Sequence, residues 1–548
     1  MFLVLDSVSE PVEDFRARRM RQIALSLLLV IAGSTQSVFS QRQSEIPSPR
    51  PFVDPKLDRI VVATVGPLKI SGTEFKLNYD FGPSFAKRVK DSKKRYLNFM
   101  IYEKLLALDA EQRKLDQWAD VKSQLAEIGG DLATEELYKQ YVLSKVHISN
   151  RMLAQGLKED RIQVTLQWIY CRTAREVDDL VRSMKSGLEF DTLYARQFGE
   201  NVKPEDRILK STRFKLRVRN PMFALVVDTM KAGTISLPIH GPDGWYIVRV
   251  TDEWINPIVT QTEEVQLAEN VRQLLTRQIS DSLSDIYLHG VISSHQPTII
   301  RGPFNAIQAY LGNKFLSKEK FAEWELATRK GAEVLKDVSD LQPIAGLTLV
   351  ELKTGTLTVA DFLAWYRIRE PYAKLELASP QGFFQSVEDL VWRMVRDRLL
   401  VRKAFDRGLQ NRPNVIRQLR WWKEKMLYTA NRNRIADTIT DSLPVVRQYY
   451  DQHPRLFLDD RGNRKGFDSV KEDVWRLYYS DELTKRLLHE ILRLKQRYGV
   501  KIQDSALAGI TVDEQNDPKA IDVYTVKKGG IFPHLAFPSI DFDWQSWD

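Results

Sequence analysis

Seven histidines and one cysteine are the natural candidates for acid–base, nucleophilic or metal chemistry in this 548-residue chain. The histidines are His147, His240, His289, His295, His453, His489 and His534. No two have the HExxH spacing that sets two imidazoles and a general base on one helical face. His289 and His295 lie six residues apart around an expected helix end and are not read as a metal pair. Cys171 has no partner for an internal disulfide, a cysteine zinc cluster or a CxxC redox pair, and is expected to be a small buried apolar residue. The chain has no GxSxG nucleophile elbow, no P-loop and no GxGxxG. Asp178–Asp179 sit on an exposed-looking helix, where solvation accounts for them. Trp421 and Trp422 lie within "RQLRWWKEKMLYTANRNR". A basic aromatic helix can serve nucleic acid or membranes, but core packing of one tryptophan face is the expectation. Neither a metal nor a cofactor is expected.

With no catalytic motif of these kinds, the elements themselves must carry the reading. The length implies about three or four domains. Hydrophobic residues make up 43 % and charged residues 28 %, the balance of a soluble globular protein. The net charge of +9 is spread among interleaved acidic and basic residues and reads as a solvated surface. At the N-terminus, basic "RARRMRQ", apolar "IALSLLLVIAG" and small, polar "STQSVFSQ" have the order of a secretory signal peptide, with cleavage expected near Ser40–Gln41. The apolar run, about eleven residues, is too short for an ordinary membrane-spanning helix. No cysteine follows it to take a lipid. The expectation is therefore an exported, periplasmic protein with no stable membrane span and no nucleic-acid partner.

Residues 41–56 read as a linker rich in Pro and Ser. A strand "RIVVATVG" follows, and then a helix that Ser71 can cap with Glu74 three residues on. "YLNFMIYEKLLALDAEQRKLD" has a helical period, and "TEELYKQYV" reads as the start of another helix. An internal repeat appears here. At a fixed offset of 294, Met100, Leu105, Leu106, Ala110, Arg113 and Leu115 meet Met394, Leu399, Leu400, Ala404, Arg407 and Leu409, and no gap is needed over about 30 residues. Upstream, "SGTEFKLNY" parallels "TVADFLAWY", with Phe75 facing Phe362 and Tyr79 facing Tyr366. These matches describe one duplicated module.

Between the copies lies a different pattern. "VTLQWIYC" is a strand, "TAREVDDLVRSMKSG" and "EFDTLYARQFG" are helices, "TRFKLRV" reads as a strand, "NPMFALVVDTMKAG" as a helix and "GWYIVRVTDEW" as a final strand. This β-α-α-β-α-β unit resembles a parvulin-type peptidyl-prolyl isomerase domain. The match rests on Lys185–Phe190, on Gly233–Pro238 within "KAGTISLPI" and on Gly244–Tyr246 opening the last strand. The flanking helical segments look like those of exported foldases of the SurA, PpiD and PrsA kind. The resemblance implies catalytic histidines on the first strand and at the start of the last, and here those positions hold Trp168 and Tyr246. It also implies a Cys- or Asp-bearing segment before a Gly-Gly-Asp-Leu-Gly loop, and that arrangement is missing from "NVKPEDRILKSTRF". Of the apolar residues that hold proline, Phe223 remains, and a usual methionine is replaced near Arg219.

The expected fold class is α+β, with duplicated, mostly helical, chaperone-like modules flanking a central parvulin-like domain. The expected divisions are 1–40 signal peptide, 41–56 linker, 57–160 first module, 161–254 parvulin-like domain, 255–345 helical connector, 346–510 second module and 511–548 tail. The tail is either a disordered end or a docking segment. No catalytic residue is assigned. Phe223, Arg219, Trp168 and Tyr246 are the expected substrate-binding residues. Three readings follow: a chaperone or foldase for unfolded, nascent or outer-membrane-bound polypeptides, a prolyl isomerase with an altered site, and a structural subunit of an envelope secretion or assembly complex.

Overall fold

The computed structural model describes residues 54–87, 89–198, 202–241, 243–257, 260–333, 335, 337–370, 373–512 and 538–547. The expected signal peptide and most of the linker lie outside these residues. In chain order the first copy runs α1 (Pro55–Arg59), β1 (Val61–Val65), β2 (Leu68–Ser71), α2 (Gly72–Phe81), α3 (Ser92–Gln112), α4 (Ala119–Tyr141) and α5 (Asn150–Asp160). The central unit comprises β3 (Ile162–Cys171), α6 (Ala174–Lys185), α7 (Phe190–Ala195), β4 (Ile208–Thr212), α8 (Arg213–Arg219), α9 (Pro221–Val227), β5 (Ile239–His240) and β6 (Trp245–Ile255). The long α10 (Gln261–His295), β7 (Thr298–Ile299), α11 (Arg301–Phe315) and α12 (Lys318–Glu323) lead to the second copy. That copy runs β8 (Thr348–Leu352), β9 (Gly355–Thr358), α13 (Val359–Arg369), α14 (Pro380–Asp406), α15 (Pro413–Ala436), α16 (Leu443–Gln452), α17 (Phe467–Tyr498) and β10 (Val500–Ile502), and α18 (Asp504–Ala508) follows it. The class is α+β, as expected.

The duplication holds to single residues. In the first hairpin Val61 faces Ser71 and Ala63 faces Ile70 across a bulge. In the second, Thr348 faces Thr358 and Val350 faces Leu357 across the same bulge, 287 residues later. Ser71 caps α2 by accepting from the Glu74 amide at 3.2 Å. Thr358 caps α13 in the same way from Asp361, also at 3.2 Å, and the Asp361 carboxylate returns the bond to the Thr358 amide. The turns that end α3 and α14 pass through a left-handed residue at matching positions, Lys114 (φ 60°) and Gly408 (φ 67°).

The two copies exchange parts. α4 leaves α3 through Leu115–Gln117 and packs on α14 of the second copy, while α15 leaves α14 through Leu409–Asn411 and packs along α3 of the first. The closing strands cross as well. β7 pairs with β8 and β10 pairs with β1, so each three-stranded sheet is completed by the strand that ends the other copy. One apolar core therefore unites residues from Val62–Val121 with residues from Leu427–Trp544, and a second runs from Val291 to Leu399. The segments 57–160 and 346–510 thus do not pack as two self-contained modules, and part of the 255–345 connector lies in the second core.

Close approach makes the exchange possible. "IGGD" interrupts the apolar pattern, so the sequence places a helix start only at "TEELYKQYV"; α4 instead begins at Ala119 and runs through both glycines. A Cβ at Gly130 would stand 2.9 Å from Val401 Cγ2 of α14, so a larger residue would push the helices apart. The copies differ most in what joins α5 to α10 and α16 to α17. In the first copy the junction is residues 161–260, which hold the central unit. In the second it is residues 453–466, with a single bridge between Leu458 and Arg464.

In the central unit "TRFKLRV" is not a strand. Its alternating pattern mimics one, but Thr212 caps a helix at this point, accepting from the Lys215 amide at 3.1 Å. The strand is β4, just before it. No helix among the described residues is long and apolar enough to cross a membrane.

Candidate functional site

β3 is the central strand of this site. Its residues alternate between two packed faces. Val164 and Leu166 face α8 and α9, whereas Ile169 and Cys171 face α6 and α7. Burial holds the Cys171 thiol above its usual range, consistent with a packing role. The sheet order is β4-β3-β6-β5, with Tyr170 directly opposite Tyr246 and Trp168 opposite Val248. Trp168 and Tyr170 therefore extend the face that α9 covers.

Four aromatic rings make a continuous row on this face. Trp168 meets Phe223 at 5.8 Å, Phe223 meets Tyr246 edge-on at 5.5 Å, and Tyr246 meets Tyr170 at 5.3 Å. The Arg207 guanidinium lies 5.3 Å from the Tyr170 ring centre. Phe223 is buried, and Trp168 and Tyr246 are half-buried. Tyr246 donates its hydroxyl to Asp243 Oδ1 at 2.7 Å, and Tyr170 donates to the Asp243 carbonyl at 2.5 Å. Burial first, then the Asp243 carboxylate, push the Tyr246 hydroxyl up to about 12. It is a neutral hydrogen-bond donor at physiological pH and cannot act there as a proton acceptor. Gly244 lets β6 begin this close to β3, because a Cβ there would lie 2.6 Å from the Cys171 carbonyl oxygen.

Three of the four expected substrate-binding residues, Trp168, Phe223 and Tyr246, come together. Arg219 does not join them. It is the exposed last residue of α8, whose buried positions are taken by Phe214 and Leu216. Tyr170, Asp243 and Arg207 were not anticipated. Tyr170 was within reach of strand alternation, two residues after Trp168 on the same face, and Asp243 lies three residues before Tyr246. Arg207, on a short turn before β4, carries no local signal. His240, the only histidine of the central unit, packs on Trp245 at 4.8 Å, one residue out of phase with Tyr246 on β6.

The other candidate groups have structural settings. Asp178 and Asp179 are exposed, and Trp421 is 4 % exposed within the core. His289 and His295 bond within their own helix, to Ser293 and to the Val291 carbonyl. Among the described residues no group of three or more His, Cys, Asp or Glu is placed to hold a metal ion.

Neither a family model nor a curated protein matches the chain. Solved structures do. A peptidyl-prolyl isomerase, PrsA, of Bacillus anthracis is 15 % identical, with 35 % of this chain and 96 % of that one covered at a TM-score of 0.21. A structure from the study of PEB4 and Cj1289, two SurA-like chaperones of Campylobacter jejuni, is 17 % identical over 43 % of this chain and 97 % of that one, at a TM-score of 0.20. The foldase PrsA of Streptococcus pneumoniae is 12 % identical over 39 % and 86 %, at a TM-score of 0.21.

Proposed function

We propose that the protein is an exported chaperone or foldase that holds unfolded polypeptides, and that its parvulin-like domain binds extended apolar segments with little or no isomerase activity. The observation that carries this reading is the aromatic row Trp168–Phe223–Tyr246–Tyr170. It stands where the resemblance implies a prolyl groove flanked by two histidines. A prolyl isomerase must hold the proline and stabilise the twisted amide better than the planar one. Rings at those positions offer area for apolar contact and keep the Tyr246 hydroxyl bonded to Asp243, so the proton-exchanging groups of the family are replaced by a binding surface. Exposed apolar residues elsewhere on this domain, Leu237 and, at the far end of β6, Trp254 and Ile255, add to its apolar contact area. Unfolded exported chains are the proposed partners, including outer-membrane proteins, and the periplasm is the proposed compartment.

Two assays on the full chain test the reading. Aggregation of several unfolded clients should be suppressed at stoichiometric ratio, and the Trp168→Ala, Tyr246→Ala double variant should suppress it less. Protease-coupled turnover of a Xaa-Pro peptide should stay close to the uncatalysed rate. Unchanged client aggregation sinks the chaperone reading. Turnover that Tyr246→Phe abolishes would instead establish a working isomerase with an altered site. The third reading, a subunit of an envelope complex, gave the aromatic tail a docking role; Trp544 of that tail is buried in the protein's own core.

A further inference from the structure

Residues 538–547 rest on the folded protein as a bound peptide would, on a seat built from both copies. Trp544 is 1 % exposed and Ile540 3 %. Phe99 of α3 stacks on the Trp544 indole at 5.6 Å, Tyr428 of α15 stacks on it at 6.0 Å, and Tyr102 stands edge-on at 5.8 Å. Phe85 meets Phe542 at 6.3 Å. Polar contacts alternate with these rings. The buried Glu103 carboxylate accepts from the Asp541 amide at 2.7 Å and from Trp544 Nε1 at 3.0 Å. Tyr428 donates to Asp541 Oδ2 at 3.1 Å, and Arg432 pairs with Asp543.

The second copy lacks such a seat. Phe99 and Tyr102 correspond to Arg393 and Arg396, and Arg393 is exposed. Asp397, in the place of Glu103, takes its indole N–H from Trp365 of α13 at 2.8 Å, inside its own copy. The repeated frame therefore does not require aromatic residues on this face of α3. Their presence, with Arg432, Lys425, and Lys495 over Tyr102 at 4.5 Å, fits a short segment folded as a single tight helical turn, as Phe542–Ser546 is, in which aromatic side chains and aspartates alternate in sequence. The chain's own Asp541–Trp544 has that pattern.

We infer that this seat is a binding groove for acidic-aromatic polypeptide segments, and that residues 538–547 are its resident occupant, displaced when a competing segment of the same chemistry arrives. The resident belongs to the same chain, so its binding is intramolecular and a free segment competes at a disadvantage until the resident is loosened. The inference is independent of what the aromatic row of the central unit binds.

The test uses the full chain with a protease site introduced within residues 513–537, cut after folding, and a fluorescein-labelled peptide of sequence PSIDFDWQSWD. The cut protein should bind the peptide, and the uncut protein should bind it at least about tenfold more weakly. A peptide with alanine in place of the residues equivalent to Phe542 and Trp544 should not compete. Full-length Asp543→Lys, which loosens the resident without touching the seat, should bind the labelled peptide more tightly than the unaltered chain. The inference is overturned if the cut protein keeps its melting transition but binds no peptide, if cut and uncut proteins bind equally, or if Asp543→Lys brings no gain.

Discussion

In the first copy the Gly66 amide bonds to the Gly499 carbonyl at 3.1 Å, and in the second the Lys353 amide bonds to the His295 carbonyl at 2.8 Å. The donors are 287 residues apart, as are the hairpin bulges and the caps of α2 and α13. Backbone geometry is thus shared wherever a strand or turn must satisfy its own hydrogen bonds. The copies part company in the side chains that reach across the exchange. Lys104 of α3 and Arg398 of α14 occupy equivalent positions, and each pairs with a glutamate on the helix the other copy lends: Glu424 for Lys104, Glu127 for Arg398. Lys104 is buried and also holds Glu74 at 2.7 Å. Arg398 is partly exposed, and its Glu127 keeps a second cation, Arg369, at 2.9 Å. One frame therefore carries a cation that the buried Glu74 depends on in one copy, and a cation with a close substitute in the other.

Removing each cation in turn separates these cases most strongly. Lys104→Met leaves the buried Glu74 without its ion-pair partner, beside a Glu424 that keeps only the more distant Arg420 at 3.8 Å, and should cost about 3–5 kcal/mol at neutral pH. Arg398→Met leaves Glu127 with Arg369 and should cost roughly 1.5–3 kcal/mol. The pH dependence has a definite sign. Burial already holds Glu74 above the usual carboxylate range, although Lys104 opposes it. An acid with a raised folded pKa favours the folded state when protonated, so this contribution is lost as pH rises through the folded value. The Lys104→Met deficit should therefore shrink between pH 7 and pH 5. Urea midpoints for both variants at the two pH values measure this, and equal losses in the two copies would remove the distinction.

The repeat was legible because the residues that make it, from Met100/Met394 to Leu115/Leu409, lie in register on helices with the same buried face. The Ser71–Glu74 cap was legible because its bonds are local. The exchange was not legible. Each copy has the pattern of a complete module, and which partner a helix or closing strand chooses is a tertiary outcome with no local signal. "TRFKLRV" misled because alternation in so short a run fits a strand as well as a capped helix turn. At the site, Trp168, Phe223, Tyr246 and Arg219 all followed from the resemblance, Arg219 as the residue near the family's usual methionine, but the end of α8 carries Arg219 outward.

Gly129 and Gly130 test whether close approach holds the exchanged helix in place. Both sit inside α4, but only Gly130 is pressed on a side chain of α14; the nearest atom to a Cβ on Gly129 is Leu419 Cδ2, at an ordinary 3.6 Å. Gly130→Leu should cost about 1–3 kcal/mol through overpacking, and Val401→Ala should recover part of that loss. Gly129→Ala should add up to about 1 kcal/mol, because alanine is the better helix former. Thermal or urea melts of the three variants decide it. A Gly130→Leu protein as stable as the original would mean that the α4–α14 crossing tolerates separation.

The smallest expected difference lies in the turns that send α4 and α15 across. Both need a left-handed residue. The second copy uses Gly408, which adopts that conformation at no steric cost, and the first uses Lys114, which does not. A Cβ on Gly408 would crowd nothing, the nearest atom being Asn411 Nδ2 at 4.0 Å, so the effect of a side chain there is mainly that of the backbone. Gly408→Lys should cost about 1 kcal/mol, and Lys114→Gly should gain somewhat less, because glycine also loosens the unfolded chain. The two sites share no partner, so the effects should add and the double exchange should return nearly to the original stability. A double variant well below the sum of the single effects would show that the two turns are coupled through the helices they redirect, and that the exchange is one cooperative unit rather than two equivalent crossings.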